Sequence, residues 1–167
     1  MRRNSALGIF IAAIALIAAA WVGMAVWSRP VRPASPADPT DVAQVAAGQA
    51  IYVTHCASCH GDKLQGQPNW KERKADGKLP APPHDATGHT WHHPDQQIFQ
   101  ITKLGIAAIV PNYKSDMIGF GNRLSDRDIW NVIAYIKSTW PLDIQARQAT
   151  VTQSAASQNT DVKGTNP

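Results

Sequence analysis

Two cysteines are all that the sequence holds, Cys56 and Cys59, and they are too close together for a disulfide to staple a domain. Charge is also scarce, with Asp, Glu, Lys and Arg at 17% of 167 residues. The net charge of +4 would suggest a nucleic-acid partner, but its location argues otherwise. Arg2, Arg3, Arg29 and Arg32 flank one apolar stretch, while residues 41–142 carry ten Lys/Arg against nine Asp/Glu. A nucleic-acid-binding domain concentrates basic residues on one face, so that partner class is set aside. The length allows one ordinary domain with attachments and excludes a multidomain machine.

The apolar stretch runs from Ala6 to Trp27 without a charge, hydroxyl or amide side chain. As a helix it would reach roughly 33 Å, enough to cross a hydrocarbon core of about 30 Å. The apolar part of a signal peptide is shorter, about 7–15 residues. The candidate cleavage site Ser35-Pro36-Ala37 also lies beyond Arg29 and Arg32. Residues 6–27 are therefore expected to be an uncleaved transmembrane anchor, with 1–5 in the cytoplasm. Pro30, Pro33, Pro36 and Pro39 recur at every third residue, the period of polyproline II, and mark 28–40 as a semi-rigid spacer. Residues 143–167 are rich in Gln, Ser, Thr and Asn without a period and are expected to be disordered.

The strongest local signal is Cys56-Ala57-Ser58-Cys59-His60. Covalent haem attachment needs two thiols that reach the two vinyl groups on one side of the porphyrin. It also needs an imidazole next in line to reach the iron, and one helical turn meets both demands. Other readings remain open on the motif alone. A thioredoxin-like pair would sit near a strand-rich pattern, which is missing here. A zinc site drawing on His84, His89, His92 or His93 would need a wider spacing than a finger has.

The surroundings are helical. Asp41 to Cys59 reads as one helix, with Val42, Val45, Ala46, Gln49, Val53 and Cys56 as its stripe and Gly48 as an interruption. A second helix is expected from Pro94 to Gly105, with Ile98, Ile101 and Leu104 inward. A third follows Ser125–Asp128, a capping box, with Ile129, Val132, Ile133, Ile136 and Trp140 as its stripe before Pro141. Long Pro- and Gly-rich loops separate these helices. They make sense if they wrap a flat cofactor that completes a small core.

Residues 41–142 resemble a class I c-type cytochrome. The resemblance lies in Gly48-x-x-x-Tyr52, Cys56 to Gly61, Met117-Ile118-Gly119-Phe120, Leu124-Ser125-Asp126 and Ile133-Ala134-Tyr135-Ile136. It implies an all-α cytochrome c fold of three to four short helices wrapped around one haem c, here preceded by a single transmembrane helix. By resemblance Gly48 and Tyr52 meet Val132 and Tyr135. Cys56 and Cys59 form the thioethers, and His60 is the proximal iron ligand. A proline carbonyl supports His60, with Pro68, Pro80, Pro82 and Pro83 all open. Trp70, Trp91 and Tyr113 either pack on the porphyrin or belong to an ordinary aromatic core.

Met1 and Met24 belong to the N-terminal segment, leaving Met117 as the domain's lone methionine, 57 residues after His60. The resemblance makes it the sixth ligand, and its rivals are His84, His89, His92 and His93. His/Met ligation raises the reduction potential and closes the iron to small molecules, which suits electron transfer. The expectation is an electron carrier, not an enzyme. It would serve donor and acceptor proteins of a membrane respiratory chain on the periplasmic side of a bacterial inner membrane. The alternatives are a haem-bearing subunit of a larger oxidoreductase and a gas or redox sensor with a labile sixth ligand. The run Lys71, Arg73, Lys74 and Lys78 reads as solvated loop.

Overall fold

Asp41 opens the first helix because its carboxylate accepts from the backbone N–H of Ala43 and Gln44, at 3.0 and 3.1 Å. The structure, a computed structural model, describes residues 35–164. The expected anchor at 6–27 and most of the spacer at 28–40 lie outside those residues. Among the described residues there is no strand, and no helix is long and apolar enough to cross a membrane. Helix α1 spans Val42–His55, and a short α2 spans Ala57–His60. Next come α3, Asp95–Leu104, and α4, Ile106–Ile109. Then follow α5, Asp126–Ser138, and α6, Leu142–Gly164. The helix expected from Asp41 to Cys59 is thus two segments broken at Cys56.

The inward face of α1 differs from the expected stripe. Gly48 and Tyr52 are its buried residues, while Val42 and Val53 are 82% and 61% exposed. Helix α1 is apolar nearly all round, so spacing alone does not choose a face. The choice is made by close approach. A Cβ at Gly48 would stand 2.9 Å from the Cβ of Tyr135 and closer still to the Asn131 carbonyl, so the small residue lets α1 lie directly on α5. Tyr52 then packs on Tyr135, with ring centroids 5.4 Å apart.

Helix α5 matches its reading closely. Ser125 Oγ accepts from the Asp128 N–H, and the Asp128 carboxylate accepts from the Ser125 N–H, completing the capping box. Ile129, Val132, Ile133, Ile136 and Trp140 are all buried. They split between two clusters, one with Ile98, Phe99 and Leu124, the other with Tyr52, Ala57 and Leu64. In α3, Ile98 is inward as expected, but Leu104 is half exposed and Phe99 takes the place beside it.

The tail is a correction. Where disorder was expected over 143–167, residues 142–164 are helical. The physical reason is a buried polar network that leaves no hydrophobic period in the sequence. Lys137 and Asp95, with side chains only 8% and 1% exposed, form an ion pair between α5 and the first residue of α3. Lys137 also donates to the Ala37 carbonyl at 3.1 Å. From α6, Gln148 donates to the Asp95 carboxylate and to the His93 carbonyl, and Thr152 Oγ1 accepts from the Asp95 N–H. Alanine and glutamine favour helix along the rest. The end of the spacer is also part of the body, with Ala37 buried and Gln44 donating to the Pro36 carbonyl at 2.8 Å.

Two variants test this architecture by urea unfolding. Gly48→Ala is expected to lose roughly 1–3 kcal/mol by overpacking, outweighing the gain of about 1 kcal/mol in helix propensity. Lys137→Met strands the Asp95 charge and is expected to cost about 3–5 kcal/mol. Adding Asp95→Asn to Lys137→Met should recover part of that loss.

Candidate functional site

The residues of the Cys-x-x-Cys-His run form one tight turn. The Cys56 N–H donates to the Tyr52 carbonyl, and the Cys56 carbonyl accepts from the N–H groups of Cys59 and His60 at 3.1 and 2.9 Å. Gly61 ends the turn, and its carbonyl accepts from the Tyr52 hydroxyl at 3.0 Å. The α1–α5 crossing thereby positions the site, because Tyr52 belongs to both. Ala57 and His60 face inward, Cys59 is exposed and Cys56 is half-buried. Both thiols are free. Burial pushes the Cys56 thiol up to about 11, with a smaller push from the neighbouring Cys59.

His60 is buried, with Nδ1 2.8 Å from the Pro82 carbonyl. A carbonyl only accepts, so Nδ1 carries the proton and Nε2 keeps its lone pair. Burial lowers the His60 pKa below its ordinary value, and the bond to Pro82 opposes this. Of the four candidate prolines, Pro82 is the one that meets His60. Gly66 makes this possible. It has φ +69, and a Cβ there would collide with the Pro82–Pro83 backbone, so only glycine lets the two strands of the loop approach.

Met117 comes from a separate loop. It is half-buried, and its N–H donates to Ser115 Oγ at 3.0 Å. The loop is strapped to α3 by hydrogen bonds from Phe120 N–H to the Thr102 carbonyl and from Gly121 N–H to the Lys103 carbonyl, at 3.0 and 2.9 Å. Nearby in sequence, Leu104, Ile109, Val110 and Ile118 remain 39–51% exposed. The basic run is not simply solvated. Lys74 and Lys78 both pair with Asp116, the residue before Met117, and Arg73 lies over the Tyr113 ring at 5.6 Å. Sequence reasoning missed this strap because its partners lie about forty residues apart.

The four histidines do not gather on one point, although His89 and His93 meet edge-on with centroids 5.4 Å apart. His84 stacks on His60, with centroids 4.0 Å apart, and its Nδ1 shares a hydrogen bond of 2.9 Å with the Thr90 hydroxyl. Burial, then the neighbouring His60 and His89, hold the His84 pKa well below its ordinary value. His89 stacks on Trp70 at 5.4 Å, and His92 lies against Trp91. Among the described residues no group of three or more His, Cys, Asp or Glu is placed to hold a metal ion.

This donor set fits a covalently attached haem. It offers two free thiols on one turn, an imidazole with one nitrogen tied back, and apolar side chains without cover. Among the described residues the buried Trp91 Nε1 has no acceptor, which suits a group that brings carboxylates. A family model for cytochrome c matches residues 45–140. A thiosulfate dehydrogenase of Stutzerimonas stutzeri (strain A1501) is 36% identical over 94 residues, which cover 56% of this chain and 26% of that protein. The chain thus matches about a quarter of that relative's length. No solved structure matches.

The exposure difference between the thiols is testable before haem attachment. With iodoacetamide at pH 8, Cys59 is expected to alkylate at least about tenfold faster than Cys56, because the raised Cys56 pKa leaves little thiolate. Peptide mass spectrometry over time reads the two rates, and equal rates would contradict the burial of Cys56.

Proposed function

The chain belongs to the cytochrome c family, which implies a covalent c-type haem, and from that premise we propose a one-electron carrier with His60 and Met117 as iron ligands. The carrying observation is the His60 Nδ1–Pro82 carbonyl bond on the same turn as two free thiols. When bound, the haem supplies a one-electron iron couple. Cys56 and Cys59 tether it through thioethers, so it stays attached. Pro82 holds the proton of His60 at Nδ1 and leaves Nε2 for the metal. Met117, carried on a loop strapped to α3 and paired through Asp116 to Lys74 and Lys78, supplies a thioether ligand that raises the potential. Leu104, Ile109, Val110 and Ile118 offer apolar surface to exclude water.

In this reading residues 6–27 anchor the chain in a bacterial inner membrane, with Arg2 and Arg3 inside and the haem domain on the periplasmic side. Its partners are then electron donor and acceptor proteins of a membrane respiratory chain. A second reading is a haem-bearing subunit of a larger oxidoreductase. The match to part of a thiosulfate dehydrogenase favours it, and a reduced sulfur compound such as thiosulfate as the ultimate electron donor would follow.

The test is the absorption spectrum of the full chain, expressed with haem-attachment machinery, in wild type and Met117→Ala. A covalent low-spin haem is expected, with a far-red sulfur-to-iron charge-transfer band that the variant loses. A spectrum indifferent to the substitution would remove Met117 as ligand, turn attention to His84, His89, His92 and His93, and reopen the reading as a sensor. Membrane fractionation supplies a further check. The full chain should resist carbonate extraction, and a chain lacking residues 1–27 should be released.

A further inference from the structure

One histidine of the 84–93 segment touches the imidazole assigned to the iron. The His84 ring lies 4.0 Å from that of His60, centroid to centroid, with 24° between their planes. That is the distance of a packed stack. His84 is held from several sides. Its N–H donates to the Leu64 carbonyl at 2.7 Å, and its carbonyl accepts from Trp140 Nε1 at 2.7 Å. Nδ1 is bonded to the Thr90 hydroxyl, and the Tyr52 ring stands edge-on at 6.3 Å. Leu64, Thr90, Trp140 and Tyr52 are all buried.

Among the described residues the His60 imidazole has a single hydrogen bond, at Nδ1, to the Pro82 carbonyl. That bond sets the tautomer but leaves the ring plane free to rock about the bond direction. A second ring lying against its face restricts this motion, and the Thr90 bond keeps the second ring from turning in its place. A leucine would also fill the space. An imidazole differs in being polar and polarisable. The oxidised state of the bound group carries one more positive charge than the reduced state, so a polar neighbour favours oxidation and a hydrocarbon does not.

We propose that His84, held by Thr90, is a positioning residue for His60 that fixes the plane of the proximal imidazole and favours the oxidised haem. The proposal rests on His60 being an iron ligand. It assigns His84 a role that neither the Cys-x-x-Cys-His motif nor the prolines require.

The experiment uses the full, haem-loaded chain as wild type, His84→Leu and Thr90→Val at one fixed pH. Midpoint potentials come from spectroelectrochemistry, ligand geometry from the EPR g values of the oxidised protein, and stability from thermal unfolding. In His84→Leu the ratio of oxidised to reduced protein at a fixed applied potential should fall on the order of tenfold. That is a rise of about 59 mV for a one-electron couple. The g values should shift with it. Thr90→Val should move both readouts in the same direction by less. The proposal stands only if potential and g values both move this way. Unchanged values, or a fall in potential, overturn it whatever happens to thermal stability, since stability alone would report packing. If His84→Leu fails to retain haem, Thr90→Val decides on the same two readouts. Failure of the ligand assignment is distinguishable, because a wild-type EPR spectrum without low-spin imidazole-ligated signals rejects His60 before either variant is compared.

Discussion

The crossing of α1 and α5 at Gly48 is the constraint on which the rest of the domain depends. Because the glycine has no side chain, the two helices approach until Gly48 meets the Asn131 carbonyl and Tyr135. Tyr52, one turn further along α1, is then fully buried against α5, and its hydroxyl reaches the Gly61 carbonyl. That bond ties the end of the Cys-x-x-Cys-His turn to the helix crossing. The same Tyr52 ring stands edge-on to His84, which backs His60. A packing event between α1 and α5 is thus transmitted to the imidazole through one aromatic side chain. Net packing energy accumulates over many such contacts, but the geometry of the site passes through few of them.

What could be read in the sequence follows from how local each signal is. The α5 stripe and the Ser125–Asp128 box were legible because every participant lies within one helix. The Cys56–His60 turn was legible for the same reason. The spacing of α1 did not give its face, since its apolar residues surround the helix, whereas the resemblance did, because Gly48 meets Tyr135 and Tyr52 packs with Tyr135 and Val132 as it implied. The supporting proline was narrowed to four candidates by composition and to Pro82 only by the fold. Helix α6 was missed because Gln148 and Thr152, polar residues that composition assigns to solvent, are buried on Asp95.

The loops show how a small domain orders long irregular segments without large apolar surfaces. The loop after His60 is held by backbone contacts, with Gly66 N–H on the His60 carbonyl and the N–H groups of His84 and Asp85 on the Leu64 carbonyl. The Met117 loop is held by two hydrogen bonds to α3 and by lysines that converge on Asp116. Those lysine pairs are solvent-exposed, and exposed pairs contribute only about 0–1 kcal/mol each. Their effect is therefore to select among loop conformations. The backbone bonds to Thr102 and Lys103 carry the larger share of the ordering, because they fix chain direction as well as distance.

The buried Asp95–Lys137 pair presents the opposite case. A pair removed from water loses hydration that its mutual attraction only partly restores, so it is weak support for stability in itself. Its extra partners change the balance. Asp95 takes the Lys137 ammonium and the Gln148 amide on its two carboxylate oxygens, and Lys137 finds a further acceptor in the Ala37 carbonyl. Each group thereby satisfies more than one valence, the condition under which a buried polar network specifies one arrangement. The segment that enters the domain at Ala37 and the helix that leaves it after Leu142 meet at the same charges. A hydrophobic replacement could hold those segments together, but it would not demand one registration between them. The polar network does, which explains why a composition poor in apolar residues still yields an ordered helix there.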